Sequence, residues 1–303
     1  MYVSIGHIPQ WIEIDRTDQA NPVLLFLHGG PGGSSRPAAA AWKPWANAFT
    51  LAHWDQRGAG RTFARNGEAG CGPLTIARLV EDGIEVAEFL HRNLHKPKLL
   101  LVGHSFGSVL AVHMLRQRPK LFAAYVGAGQ LVNKRANEEI IHARLLARAR
   151  ATRDDEALLA LSALTPPLHT DRDNIAVLRQ WADRLADGSG DEVQMHPSPP
   201  SVGFTAQDRE QLARGRAYCR AQLFDEIGAV DLAALGLDFA VPMFFFHGTH
   251  DQQAALELAE QYCADITAPA KGFVRFEGCH HFMAMNRPEL FLRELLARVR
   301  PVL

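Results

Sequence analysis

Gly103-His104-Ser105-Phe106-Gly107 decides how this chain is read. Before it, Pro97-Lys-Leu-Leu-Leu-Val102 predicts a short buried strand; after it, Ser108-Val-Leu-Ala-Val-His-Met-Leu115 predicts a helix. A G-x-S-x-G sequence on such a sharp strand-to-helix turn forms a nucleophile elbow, with the serine backbone strained and its hydroxyl exposed. Gly103 and Gly107 lack Cβ atoms, so strand end and helix start can approach closely around Ser105. The alternative is a plain connection in which Ser105 caps the helix, and the serine alone does not separate the two.

Outward from the elbow, continuous apolar runs recur: Val23-Leu-Leu-Phe-Leu27 ends in a glycine-rich turn, and Phe49-Thr-Leu-Ala-His-Trp54 ends at Asp55-Gln-Arg-Gly58. Runs that are apolar throughout, rather than alternating, predict strands buried on both faces of a parallel sheet. Tyr2 to Ile14 reads as a starting pair of strands, Leu74 to Asn93 as a helix, and Phe122-Ala-Ala-Tyr-Val126 as the strand after the elbow helix. Strand character returns at Val241 to Phe246 and Gly272 to Glu277, with helices from about Gln253 to Ala264 and from Glu289 to Val299.

Between about Val132 and Leu237 no strand is expected; Ala136 to Arg150 and Asn174 to Ala186 read as helices, broken by Pro166-Pro167 and by His196-Pro-Ser-Pro-Pro200. The expected organisation is therefore an α/β core made of 1–131 and 238–303, with a helical lid, 132–237, inserted over the strand ends where open α/β sheets bind ligands.

At 303 residues the chain can bury a full-sized core. Lys+Arg 32 against Asp+Glu 33 leaves a net charge of -1, so no basic surplus points to nucleic acid or an anionic membrane, and a small-molecule or short-peptide ligand is expected. Cys71, Cys219, Cys263 and Cys279 are scattered and read as reduced. Met1-Tyr-Val-Ser-Ile-Gly-His-Ile lacks a basic segment followed by an apolar one, and Val241 to Phe246 is far shorter than the roughly 20 residues of a membrane span. A cytoplasmic location is the expectation. The oligomeric state is not readable.

A serine nucleophile needs a base to take its proton and a carboxylate to orient that base, each brought to the sheet edge by a loop. Phe244-Phe-Phe-His-Gly248-Thr-His-Asp251 places Asp251 just beyond one strand, and Phe273-Val-Arg-Phe-Glu277-Gly-Cys-His-His281 places His280 and His281 just beyond the next. Counting back from Pro288-Glu289 favours His281 as the base; proximity to Gly278 favours His280; His281 is preferred. Asp251 could instead cap the following helix. The turn His28-Gly29-Gly30-Pro31-Gly32-Gly33 is not a phosphate cradle, because it has neither a Gly-Lys-Ser/Thr ending nor a G-x-G-x-x-G fingerprint.

His28-Gly-Gly-Pro-Gly-Gly33, Asp55-Gln-Arg-Gly-Ala-Gly60-Arg-Thr62 and Gly103-His-Ser-Phe-Gly-Ser108 together resemble the proline iminopeptidase (prolyl aminopeptidase) family of α/β-hydrolases, over roughly 20–130 and 240–300. The resemblance implies an α/β-hydrolase fold, a mostly parallel sheet flanked by helices with an inserted helical lid. It implies a triad in the order Ser105, Asp251, His281, and an oxyanion hole from the backbone of Gly30, with Gly29 as neighbour, and of Phe106. It also implies that Asp55 and Arg57 support the oxyanion loop; a simple ion pair within the turn is the alternative.

In that family lid carboxylates bind the substrate's free amine. This lid offers Glu138, Glu139, Glu192, Glu210, Asp225 and Glu226, with no motif selecting among them, and most read as solvated helix charges. Trp181, Phe204, Tyr218 and Phe224 read as lid core before pocket aromatics. The implied activity is a cofactor-independent serine hydrolase that releases an N-terminal residue, with proline the residue the resemblance points to, from small peptides or amides. An esterase or lactonase with the same triad is the nearest alternative. No metal site is expected, since fourteen histidines include no H-E-x-x-H.

Overall fold

The computed structural model describes residues 1–185 and 204–303. Its strands are β1 (Tyr2–Ile5), β2 (Ile8–Asp15), β3 (Val23–Leu27), β4 (Thr50–Asp55), β5 (Leu99–His104), β6 (Phe122–Ala128), β7 (Met243–Gly248) and β8 (Lys271–Phe276). They form one sheet in the order β1-β2-β4-β3-β5-β6-β7-β8. The β1/β2 and β2/β4 pairs are antiparallel and the other five parallel.

The helices are α1 (Ala39–Trp42), α2 (Gly60–Gly70), α3 (Ile76–Leu94), α4 (Phe106–Gln117), α5 (Lys134–Thr152), α6 (Asp155–Ser162), α7 (Arg172–Arg184), α8 (Ala206–Gly228), α9 (Leu256–Asp265), α10 (Met283–Asn286) and α11 (Pro288–Glu294). The expected strands are present with ends shifted by a residue or two. α2 and α8 are helices that the apolar spacing had not singled out. α8 starts at a capping box, in which Thr205 Oγ1 accepts from the Asp208 amide and the Asp208 carboxylate accepts from the Thr205 amide.

Continuous apolar strands give the sheet a core on each face. Val23, Leu25 and Leu27 of β3 and Leu99 and Leu101 of β5 join α3, α4 and Tyr262 of α9 on one face. Leu24, Phe26, Leu100 and Val102 join Trp42, Trp45 and Phe291 on the other. Each fully buried large side chain contributes about 1.5–3 kcal/mol. A third cluster, with Ile141, Leu145, Leu161, Leu178 and Trp181, ties α5, α6 and α7 to one another.

β3 pairs with β4 on one side and β5 on the other, so the chain reverses its winding direction between β3 and β5. The segments leaving the C-terminal ends of those two strands therefore run to opposite faces of the sheet, Trp42 and Trp45 to one and α4 to the other, and the loops that begin them lie side by side where open α/β sheets bind ligands. These loops are the Gly29–Gly33 turn and the Ser105 elbow. Among the described residues, no helix is long and apolar enough to cross a membrane.

Candidate active site

Ser105 stands between the last residue of β5 and the first of α4, with φ +54° and ψ −123°, a backbone geometry that side-chain-bearing residues rarely adopt. The surroundings over-determine it. A Cβ on Gly103 would lie 2.8 Å from the Gly107 carbonyl oxygen, and one on Gly107 would lie 2.3 Å from that of Leu27. The Ser105 amide donates to the Ala128 carbonyl at 3.0 Å, and the Ser105 carbonyl accepts from the Ser108 amide at 2.8 Å and the Ser108 hydroxyl at 2.5 Å. The side chain of Ser105 makes no capping hydrogen bond, so the capping alternative does not describe it.

Asp251 lies in the loop beyond β7 and is buried. Its Oδ1 accepts from the amides of Gln253 and Ala254 at 2.7 and 2.9 Å, closing the turn, while Oδ2 accepts from His281 Nδ1 at 2.7 Å. The following helix, α9, is capped at Ala255 with no side-chain cap, so Asp251 closes the turn before it and does not act as its N-cap. Burial alone would raise its carboxyl, but the charge of His281 and hydrogen bonds from His247 and His281 hold it well below the usual carboxylate range.

His280 and His281 separate cleanly. The His280 ring turns its Nδ1 to the carbonyl of His250 at 3.0 Å, whereas His281 meets Asp251. The imidazole of His281 packs against Gly129, where φ is +58° and an added Cβ would sit 2.9 Å from Nδ1. With Nδ1 committed to Asp251, Nε2 of His281 is buried and has no hydrogen-bond partner among the described residues. It and Ser105 line the same cavity.

Gly29 and Gly30 line that cavity too. A Cβ on Gly29 would lie 2.7 Å from Cβ of Ser105, so the loop approaches the serine as closely as a backbone can. Phe106 is the first residue of α4, and its amide therefore has no acceptor inside the helix. The loop is anchored by His28, whose Nδ1 donates to the Gly29 carbonyl at 2.9 Å and whose Nε2 accepts from the Gln56 amide at 3.2 Å. Burial lowers His28 to about 4 and His104 to about 3, so both rings are neutral. His104 Nε2 donates to the His281 carbonyl at 3.0 Å.

Asp55 accepts from Ser34 Oγ at 2.6 Å and so braces the glycine-rich loop, as the motif implied. Arg57 does not share that task, nor does it pair with Asp55. It is paired with Asp82 of α3 at 2.7 Å and donates to the carbonyls of Gly6 and Cys71, tying the first hairpin to the α3 side of the sheet.

Glu138 is wholly buried rather than solvated, and it is ion-paired to Lys134 and Arg179. Glu139 pairs with Arg135 at the surface, and Glu226 accepts from the Ile76 amide. None of Glu138, Glu139, Glu210, Asp225 and Glu226 lines the cavity. Glu192 and the connector from His196 to Pro200 lie outside the described residues.

Trp181 belongs to the α5–α7 core, Tyr218 packs on Phe63, and Phe204 and Phe224 lie against Arg36 and Arg172. The charged residues that do line the cavity are Arg216 and Arg220 of α8, which no sequence motif marks. Nor does one mark His247, whose Nε2 lies 3.3 Å from Asp251 Oδ2. No cluster of three or more potential metal ligands occurs among the described residues.

A family model described as alpha/beta hydrolase fold matches residues 22–288. The chain is 30% identical, over 98% of its length and 95% of the relative's, to the Bacillus subtilis (strain 168) protein named "Probable aminopeptidase YbaC". Among solved structures, a proline iminopeptidase-related protein from Thermus thermophilus is similar with a TM-score of 0.66 at 23% identity, covering 100% of this chain and 98% of that one. A thermophilic esterase from Thermogutta terrifontis is similar with a TM-score of 0.61 at 16% identity, with coverage of 100% and 98%. Sheet order, elbow and family match agree, and the chain belongs to the α/β-hydrolase fold family.

Proposed function

We propose that this hydrolase is a serine hydrolase working through an acyl-enzyme, with Ser105 as nucleophile, His281 as base and Asp251 as its orienting carboxylate. The observation that carries the reading is the buried His281 ring, fixed by Asp251 at 2.7 Å, with Nε2 unpartnered among the described residues in a cavity that Ser105 also lines. Ser105 Oγ attacks the substrate carbonyl while its proton passes to His281 Nε2; the same proton then leaves with the departing group, and water releases the acyl group by the reverse path. The amides of Gly30, with Gly29 beside it, and Phe106 hold the oxyanion. Each such donor is worth on the order of 10² to 10³ in rate. The chemistry uses no cofactor. The helical segment 132–237 acts as a lid on a core of 1–131 and 238–303.

Release of an N-terminal residue from small peptides or amides, proline among them, is the reading supported by 30% identity across nearly the whole of the aminopeptidase relative. An esterase reading is supported by the cavity itself, since no described carboxylate lines it to receive a substrate amine. A fluorophosphonate probe tests the common mechanism: wild type is expected to be labelled and Ser105→Ala not. Folded wild type that resists the probe would overturn the serine-hydrolase reading. Turnover of a short p-nitrophenyl ester but not of proline p-nitroanilide would select the esterase reading over the peptidase.

A further inference from the structure

We propose that the active-site cavity selects substrates bearing a carboxylate, held by Arg216 and Arg220 of α8. The inference rests on the serine-hydrolase reading above and names the substrate class for the same site. Both arginines line the cavity that contains Ser105 and His281, with Arg216 half-buried and Arg220 exposed. Four residues apart on one helix, they share a face.

That face is fixed against the core by backbone contact. A Cβ on Gly32 would lie 2.7 Å from the Gly215 carbonyl oxygen and 2.9 Å from Cα of Arg216, and a Cβ on Gly215 would lie 2.7 Å from the Gly58 carbonyl oxygen. Cys219 fills the next turn of the same seam, with Sγ 3.2 Å from the Gly58 carbonyl oxygen. At Gly215, α8 therefore meets both glycine-rich loops backbone to backbone, and the helix carries both arginines to the cavity wall, Arg216 near enough to His28 for its charge to act on that ring.

The pair is electrostatically incomplete. Like charges at this spacing repel, and burial followed by the charge of Arg220 lowers the Arg216 guanidinium. Neither arginine forms an ion pair with any described residue, and no described carboxylate lines the cavity. Some arginines of the helical segment do have carboxylate partners, Arg179 with Glu138, Arg184 with Glu156 and Arg144 with Glu257, but none of these lines the cavity. A planar carboxylate supplies the missing charge and suits the forked donors of arginine. The same field disfavours a substrate ammonium, which would meet two cations here.

The test uses matched ester pairs on the full-length protein, after wild type has been shown to react with a fluorophosphonate. For a carboxylate on the leaving-group side the pair is 4-acetoxybenzoate and its methyl ester. For one on the acyl side it is the mono-4-nitrophenyl ester of adipic acid and its methyl ester. Wild type is expected to prefer the carboxylate member of one pair by about tenfold or more in kcat/KM. That preference should collapse toward unity in Arg216→Gln/Arg220→Gln, return in part in Arg216→Lys/Arg220→Lys, and weaken as salt is raised. Probe labelling together with no carboxylate preference in either pair would overturn this inference alone, as would a preference that survives the double glutamine variant. Failure of labelling would instead overturn the reading beneath it.

Discussion

His247 and His281 converge on one oxygen: Oδ2 of Asp251 lies 3.3 Å from His247 Nε2 and 2.7 Å from His281 Nδ1. His247 closes the end of β7 and also donates from Nε2 to the Ala254 carbonyl at 3.0 Å, so it fixes both the carboxylate and the turn that carries it. His247 is in this sense a positioning residue. His247→Leu is expected to lower kcat by about 10- to 100-fold with little change in KM, because an oxygen displaced by a fraction of an ångström misaligns the base. His247→Gln, which keeps a donor, should recover part of the loss. Steady-state kinetics on one ester substrate checks both; a leucine variant with wild-type kcat would remove His247 from this role.

The neutral histidines beneath the site predict an acid instability. His28, lowered to about 4, and His104, lowered to about 3, are deprotonated in the folded protein at pH values where the unfolded chain, near 6.5, binds the proton. The unfolded state thus holds more protons below pH 6.5, and stability is lost as the pH falls from there toward 4. Each such group contributes about 1.4 kcal/mol per pH unit. Urea denaturation between about pH 7 and about pH 4.5 should show this slope, and His104→Gln should reduce it by one proton's worth, whatever its effect on the absolute stability.

Glu138 predicts a second acid-sensitive element. Burial opposes its charge, but Arg179 and Lys134 outweigh burial and lower it below the usual range; burial and Arg179 in turn lower Lys134. With the folded value depressed, the stabilisation is present above the ordinary carboxylate range and is lost as the pH falls through the folded value. Glu138→Gln leaves two cations facing a neutral amide and is expected to cost about 3–5 kcal/mol at neutral pH. The difference from wild type should shrink in acid. Because Asn137, next to it, holds the Gln253 carbonyl and the Ala255 amide, melting of this cluster should also lower activity.

Gly107 predicts a purely steric effect. Its added Cβ would meet two backbone carbonyl oxygens, those of Leu27 at 2.3 Å and His28 at 2.8 Å, and neither can swing aside as a flexible side chain would. Gly107→Ala is expected to destabilise the fold by about 2–4 kcal/mol by forcing β3 and α4 apart. A thermal or urea melt measures it; an alanine variant as stable as wild type would mean that the elbow is looser than these contacts describe.

The fold was legible because its signals are local. Continuous apolar runs mark strands buried on two faces, the glycines mark turns where backbones touch, and the sequence order of Ser105, Asp251 and the His280-His281 pair follows from which strand each one ends. α8 was not legible in this way. Its buried face, Leu212, Gly215, Cys219 and Leu223, includes two small residues that dock by close approach to the glycine loops, so the apolar contrast between its faces is too weak to mark it.

By itself, then, the sequence determined the sheet, the elbow, the glycine-rich loops and the short set of groups that could serve Ser105. Only the tertiary structure decided which neighbour in the histidine pair faces Asp251, since adjacent residues in a turn point to different sides and the choice lies with packing against Gly129 and the His250 carbonyl. It likewise decided that Arg57 pairs with Asp82 and not Asp55, that Glu138 is a buried charge, and that Arg216 and Arg220 face the cavity. Each of these depends on groups brought together from distant parts of the chain, and no local spacing encodes how a helix is rotated about its axis when it docks.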